Sequence, residues 1–522
     1  MPAPTAPSST EPGHLARVRR SIADVGPLLR FRAAALRGSA RRRIAVVAGI
    51  LLGCTVAAAI VPAHVADAGQ EGRAGELLLL LPSAYLGVLG IAIVSAAAAG
   101  GGRELLQRDQ AVAFPVSPTT DHLGSLLLAP LNIAWLLQTW AVLGATAYAW
   151  GPERLGWVQL PIVLWVLIAT AAAQVLAWSY ECVRRLRHGR FATLAIVVAG
   201  VGLAGLIVAA GRVTALLDQA PTIRLALLSA AARDGRWGEY AAGITVLVLV
   251  LVLAVALGAP PAHRLARLPA REESALETSH YAPRPTPRAR AADLRMLLRL
   301  DRAGVWRSVP LRRGVAVLAL LPGGAALAGG LAWDTLLIMP GLVGSGGALL
   351  FGVNAWCLDG AGGFWRETLP VRPGVPLAAR AVVLAEVLLV ATAATIALGA
   401  IRAGWPTATE LAALLCTTVV VIVMVTGRSL QWSVTTPYAA DLRSARATPA
   451  PPAAMFGYSV RLATVTTIVG LLFAATARLD DWWVPVLLAV PFVCFGALRL
   501  ARVAQRWDDP AVRGRVVATV AG

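Results

Sequence analysis

Twelve long apolar stretches, free of arginine except at the end of the last, constrain this chain of 522 residues more than any other feature. Ten of them run for 18 residues or more, which a soluble core rarely needs and a bilayer requires. An arginine at mid-bilayer costs about 2.5 to 3.5 kcal/mol, so arginine-free runs can be read directly as spans. In the first half they cover Ile44 to Val61, Leu77 to Ala99, Leu126 to Trp150, Val158 to Tyr180, Phe191 to Ala210 and Tyr240 to Leu257. In the second they cover Val315 to Trp333, Leu336 to Leu358, Ala381 to Ile401, Leu411 to Thr426, Leu462 to Ala477 and Trp482 to Leu500. The tenth and eleventh, at 16 residues each, fall short of the roughly 20 a crossing helix needs and leave room to extend into their flanks. The expected fold class is an all-α polytopic integral membrane protein with about 12 transmembrane helices.

Charge sets the orientation. All 47 basic residues are arginine, and with the N-terminus inside, 39 of them fall in inside segments and 8 in outside loops. Arginine accumulates on the cytoplasmic side, so both termini are expected there. The net charge of +19 is then a topology signal with an attraction to anionic lipid, and does not call for nucleic acid. The first apolar run follows Arg41, Arg42 and Arg43 with no convincing cleavage site, and reads as a retained span. The five cysteines fall in spans or on the cytoplasmic side, away from any extracellular disulfide, and no Cys/His cluster has metal-ligand spacing. No metal and no cofactor are expected.

The sequence repeats a small element at about half its length. FPVSP, Phe114 to Pro118, lies between spans two and three, and LPVRP, Leu369 to Pro373, lies 255 residues later between spans eight and nine. Six spans per half is an even number, so two such halves enter the membrane in the same sense, as a parallel repeat. Proline also ends helices and sets extended geometry before itself, so the pair alone could be loop punctuation. Basic segments with an apolar stripe precede each half: Leu15, Val18, Ile22, Val25 and Leu29 in the first, and Leu294, Leu298, Val305 and Val309, interrupted by Arg302, in the second. Each reads as a helix lying flat at the cytoplasmic interface or as a basic flank. Gly26-Pro27 is a place where the first could bend or stop. The expected organisation is a disordered tail over 1–13, a first half over 14–261, a linker over 262–290 and a second half over 291–522.

The two loops mix charges with apolar residues: Arg103, Glu104, Leu105, Leu106, Arg108, Asp109 and Phe114 in one, Phe364, Trp365, Arg366, Glu367 and Leu369 in the other. A short amphipathic helix ended by a proline-rich turn suits docking of a soluble partner from the cytoplasm. The succession NAWCLDGAGGFWRETLPVRP, Asn354 to Pro373, resembles the second-to-third-span region of bacterial ATP-binding-cassette exporter permeases of type 2, through Asn354, Asp359, Gly360, Gly362, Trp365, Leu369 and Pro370. The resemblance implies a permease in a bacterial cytoplasmic membrane, resting on cytoplasmic ATP-binding-cassette ATPase subunits, two copies expected, with two fused halves making one complete permease. The implied docking residues are Arg103, Glu104, Arg108, Asp109, Phe114 and Pro115 in the first loop and Asp359, Trp365, Arg366, Glu367 and Pro370 in the second. Such permeases often carry re-entrant external helices between the fifth and sixth spans. The first half has a candidate in APTIRLALLSAAA, within Gly211 to Glu239, whereas the second has only RLDD.

A chain without lysine cannot write GxxxxGK[ST], so ATP hydrolysis is assigned to another chain. Ion coupling, as in a secondary transporter of major-facilitator-like architecture, is the rival. It would need ionisable groups inside the spans. The one clear case is Glu386, about 8 Å into the ninth span, where pairing with Arg380 or a facing interfacial arginine competes with a coupling role. Asn132, Gln138, Gln174 and Asn354 are polar and uncharged and suit interhelical hydrogen bonds. Trp135, Trp140 and Trp165 lie deep, for packing or for a path. The composition of the interior favours a hydrophobic or amphiphilic substrate.

Overall fold

The computed structural model describes residues 14–34, 39–98, 116–131, 133–212, 215, 219–268, 292–347, 350, 352–360, 362–439, 449–450, 452–479 and 481–521. Among these the only regular structure is helix, and seven helices are long and apolar enough to cross a membrane, or eight if one bent pair is a single span. The protein is therefore an all-helical, multi-pass membrane protein. The chain divides into two compact units, Met1–Glu277 and Thr278–Gly522.

The first unit holds α1 (His14–Ala34), α2 (Ser39–Ile60), α3 (Arg73–Ala98), α4 (Pro118–Leu127), α5 (Ile133–Trp150), α6 (Leu155–Arg185), α7 (Gly189–Ala209), α8 (Ile223–Asp234), α9 (Trp237–Leu257) and α10 (Ala259–Ala266). Helix α1 runs through Gly26-Pro27 unbroken, and among its described side chains Ser21 and Val25 are buried while Ile22 is exposed. The expected third span is interrupted: α4 and α5 are separated by a short 3-10 turn at Ala129–Leu131, where Pro130 has no N–H to continue a helix. The expected external segment forms α8, whose Leu225, Ser229, Ala231 and Ala232 are buried. Thr222 donates to the Pro82 carbonyl and Ser229 to the Val158 carbonyl, fixing α8 to α3 and α6.

All three deep tryptophans tie helices together. Trp135 donates to Thr170 (2.9 Å), Trp140 to Thr55 (2.8 Å) and Trp165 to the Tyr85 carbonyl (2.8 Å). Gln159 donates to the carbonyls of Ala59 and Leu143, joining α6 to α2 and α5. Where lipid supplies no hydrophobic drive between helices, such bonds and close packing hold the bundle.

The proline after FPVS has a local cause and a local use. Ser117 caps α4, its hydroxyl accepting from the Thr120 N–H (3.0 Å), and Pro118 sits at the first helical position, where a missing N–H costs nothing. The same Ser117 hydroxyl meets Ser21 of α1 (2.8 Å), and Thr120 donates to the Ser21 carbonyl. On its other face α4 is held by His122. Trp178 donates its indole N–H to Nδ1 of His122 (3.2 Å), so that nitrogen is unprotonated and Nε2–H donates to the Val255 carbonyl (3.1 Å). Gly258 is needed beneath the ring, because a Cβ there would lie 2.1 Å from it.

Burial holds the pKa of His122 below its ordinary value, partly offset by the Val255 hydrogen bond. Protonation would also turn Nδ1 into a donor facing an indole N–H. The unfolded histidine binds its proton near pH 6.5 and the folded one only at lower pH, so this group's contribution to stability is full above about 6.5 and is lost as pH falls below it. The purified chain should lose thermal stability between pH 7 and 5.5. His122→Gln should flatten that slope, and an unchanged slope would exclude His122 as its source.

The second unit holds α11 (Ala292–Arg307), α12 (Val309–Gly329), α13 (Trp333–Leu336), α14 (Met339–Gly347), α15 (Gly362–Glu367), α16 (Gly374–Ala403), α17 (Ala408–Thr435), α18 (Pro452–Thr476), α19 (Trp483–Trp507) and α20 (Pro510–Ala521). The expected tenth and eleventh spans are longer than drawn, as α17 begins at a Thr407–Glu410 capping box and α18 begins at Pro452. Helices α11 and α12 meet at 79°.

The expected eighth span, Leu336 to Leu358, is not one helix. Leu336 ends α13, Leu337 and Ile338 form a turn before α14, and residues 353–360 are turns and a bend. Its glycines allow α14 to wedge among neighbours: a Cβ at Gly341 would lie 2.6 Å from the Thr466 carbonyl oxygen, and one at Gly347 would lie 2.4 Å from Leu388. Beyond it the backbone is satisfied by other segments, since Ala355 N–H donates to the Ser433 hydroxyl (2.8 Å) and the Asn354 amide donates to the carbonyls of Tyr438 (2.7 Å) and Pro449 (3.1 Å). Irregular backbone near a membrane persists where protein groups complete its hydrogen bonds.

Candidate docking site

The unwound stretch of the second unit carries a buried ion-pair node. Asp301 lies on the face of α11 that also buries Leu297 and Val305. Facing it, Arg366 of α15 forks onto the carboxylate, with Nη1 at 2.8 Å and Nη2 at 3.2 Å from its two oxygens. Arg380 of α16 reaches Asp301 at 3.1 Å and Asp359 at 2.8 Å, and donates its other Nη to the Ala355 carbonyl (2.9 Å). Arg366 also contacts Asp359 (3.1 Å), so two arginines and two aspartates neutralise one another. Arg366 is 5% exposed, Arg380 1% and Asp359 14%. Isolated charges there would be prohibitive, and the closed charge balance is what makes this burial tolerable.

Aromatic rings close the node. Trp356 stacks on Trp507 of α19 with ring centres 4.2 Å apart and planes 3° apart, while both guanidinium groups lie over the Trp356 ring at 5.2 and 5.7 Å. Val516 and Val520 of α20 complete this packing, and Arg513 of α20 pairs with Glu367 (3.2 Å). The six residues of α15 are thus tied directly to α11 and α20, both distant in sequence, and to the adjacent turn at Asp359. The other face of α15 is open: Phe364 is 55% and Trp365 58% exposed.

Among the docking residues read from the sequence, Asp359 and Arg366 are internal to the node, Glu367 bridges to α20, and Trp365 and Pro370 are exposed. Arg103, Glu104, Arg108, Asp109, Phe114, Pro115 and Asn132 lie outside the described residues. Gln138 and Gln174 line one small cavity of about 20 Å³ with Ser95, Trp135 and Thr170, room for a single water-sized group. Asn354 holds backbone together in a turn through its side-chain amide. Glu386 is bound by Arg302 of α11 (2.9 Å), while Arg380 is committed to the node.

Sequence reasoning passed over Asp301, and a signal was present. With Leu294, Leu297, Leu298 and Val305 as the buried face of α11, Asp301 is a carboxylate on an apolar stripe, which requires a buried cation opposite. The stripe through Leu294, Leu298 and Val305 holds, but its inward position between them is Asp301, and Arg302 points to Glu386 instead. Trp507 and Arg513 left no comparable trace. Among the described residues no group of His, Cys, Asp and Glu could hold a metal ion. Fold and site define a multi-pass helical membrane protein with a rigid, charge-neutral node beneath an exposed aromatic pair. No family model, curated protein or solved structure matches the chain.

Proposed function

We propose that the chain is the permease of an ATP-driven exporter, built as two fused halves of six spans related by a parallel repeat, in a bacterial cytoplasmic membrane with both termini cytoplasmic. Cytoplasmic ATP-binding-cassette subunits, one per half, supply the hydrolysis, and a hydrophobic or amphiphilic substrate moves by alternating access. The observation that carries this reading is the node: α15 offers an aromatic pair to a partner and is bound through Arg366 to the interfacial helix α11 and, through Arg380, to the spanning helix α16. A push on α15 is thereby delivered to the membrane helices without a soft joint. In the first unit the interfacial helix α1 is joined through Ser21 to Ser117 of FPVSP at the start of α4, so each unit ties its interfacial helix to a helix beside its Pro-Val-x-Pro element.

The test is purification of the tagged chain from its native membrane, with mass spectrometry for a co-eluting soluble P-loop protein and an ATPase assay. A stoichiometric nucleotide-binding partner supports the proposal; a chain that purifies alone and transports along an imposed proton gradient refutes it. Glu386 separates the rival. As a half-exposed pair with Arg302 it is worth about 0–1 kcal/mol, so Glu386→Gln should leave transport within about twofold. A fall of tenfold or more with loss of proton drive would assign it to coupling.

A further inference from the structure

Five arginines of the second unit pair with a carboxylate: Arg302 with Glu386, Arg366 and Arg380 with the two aspartates, Arg478 with Asp334, and Arg513 with Glu367. At the junction of α17 and α19 three arginines come together without such a partner among the described residues. Arg428 bonds only the neutral Gln431 (3.3 Å), Arg499 lies over the Phe495 ring at 4.6 Å, and no described carboxylate pairs with Arg428, Arg499 or Arg502.

The groups are held close. A Cβ at Gly427 would lie 3.4 Å from the Gly496 carbonyl and 3.6 Å from Cδ of Arg499, so the helices touch beside Arg428. Arg499 is partly desolvated and feels the like charges of Arg428 and Arg502. Four residues beyond Arg428, the indole N–H of Trp432 is buried with no acceptor among the described residues. Phe495, Arg499, Arg502 and Arg506 follow one helical stripe, and the exposed side chains of Phe495 and Leu498 lie at its apolar end.

We propose that Arg428, Arg499 and Arg502 form a binding site for the phosphate of an anionic glycerophospholipid, with its acyl chains along Phe495 and Leu498. An anion relieves the repulsion among the guanidinium groups, which present forked donors suited to phosphate oxygens. The adjoining apolar stripe selects a lipid over free phosphate. The site lies at the end of α17 and α19 that also packs into the node, through Leu430, Val434, Val503 and Trp507. Lipid bound there would therefore stiffen the platform beneath α15, whatever the chain transports.

The experiment is thermal unfolding and native mass spectrometry of the purified chain in detergent micelles containing phosphatidylglycerol, phosphatidylcholine or inorganic phosphate. Phosphatidylglycerol should raise Tm and remain bound with at least tenfold preference over phosphatidylcholine, and millimolar phosphate should do neither. Arg428→Gln/Arg499→Gln should abolish that preference, and Arg502→Gln, at an exposed position, should reduce it should the double variant fail to fold. Arg187→Gln, in the other unit, should leave it intact. Equal retention of both lipids, equal protection by inorganic phosphate, or an equal loss in Arg187→Gln would each overturn the assignment.

Discussion

Asp301→Asn should cost the second unit about 3–5 kcal/mol, the usual consequence of removing one partner from a buried ion pair. The substitution keeps the shape of the side chain and removes its charge, leaving Arg366 and Arg380 to share Asp359 alone. At this size such a loss lowers Tm by on the order of 10 °C, read by unfolding in detergent. Asp359→Asn should cost less, since its carboxylate is 14% exposed and water screens the change. The paired substitution Asp301→Asn/Arg366→Gln restores charge balance and should recover part of the loss, because contacting groups are not additive. A Tm shift under about 2 °C for Asp301→Asn would mean that the node is not the joint described here.

What the sequence made legible follows from which forces are periodic. Bilayer crossing writes itself as long apolar runs, so the helices corresponding to α3, α6, α9, α16 and α19 could be drawn from composition alone. Where tertiary contacts replace intrahelical bonds, that signal misleads. Leu336 to Leu358 is apolar enough to span, but its glycines serve close packing and its Asn354 amide completes the backbone of segments 80 and more residues away. The capping residues that extend α17 were readable in Thr407 and Glu410, which the count of apolar residues passed over. The candidate site divides in the same way. Its turn and exposed aromatics are local in sequence, whereas its charges converge from residues 301, 359, 366 and 380, a pairing that sequence spacing does not encode.

Phe364→Ala/Trp365→Ala should reduce the amount of ATPase recovered with the purified chain by at least about tenfold, and transport with it. Exposed aromatic anchors at protein interfaces contribute roughly 2–4 kcal/mol each when truncated, and about 1.4 kcal/mol is a factor of ten. Both side chains face away from the node, whose Arg366 and Gly363 are the buried side of α15, so the variant should keep its Tm within about 2 °C. That combination, coupling lost with stability kept, is the reverse of Asp301→Asn and separates a contact surface from a structural joint. The competing use of exposed aromatics in a membrane protein is to anchor at the lipid interface. Brominated lipid would then quench Trp365 fluorescence, and the double variant would retain its ATPase. On the docking reading, Trp365 is quenched no more than a tryptophan in water and becomes protected when the ATPase is added. Transport and ATPase recovery both at the unsubstituted level would remove α15 as the place where a partner's motion enters the membrane.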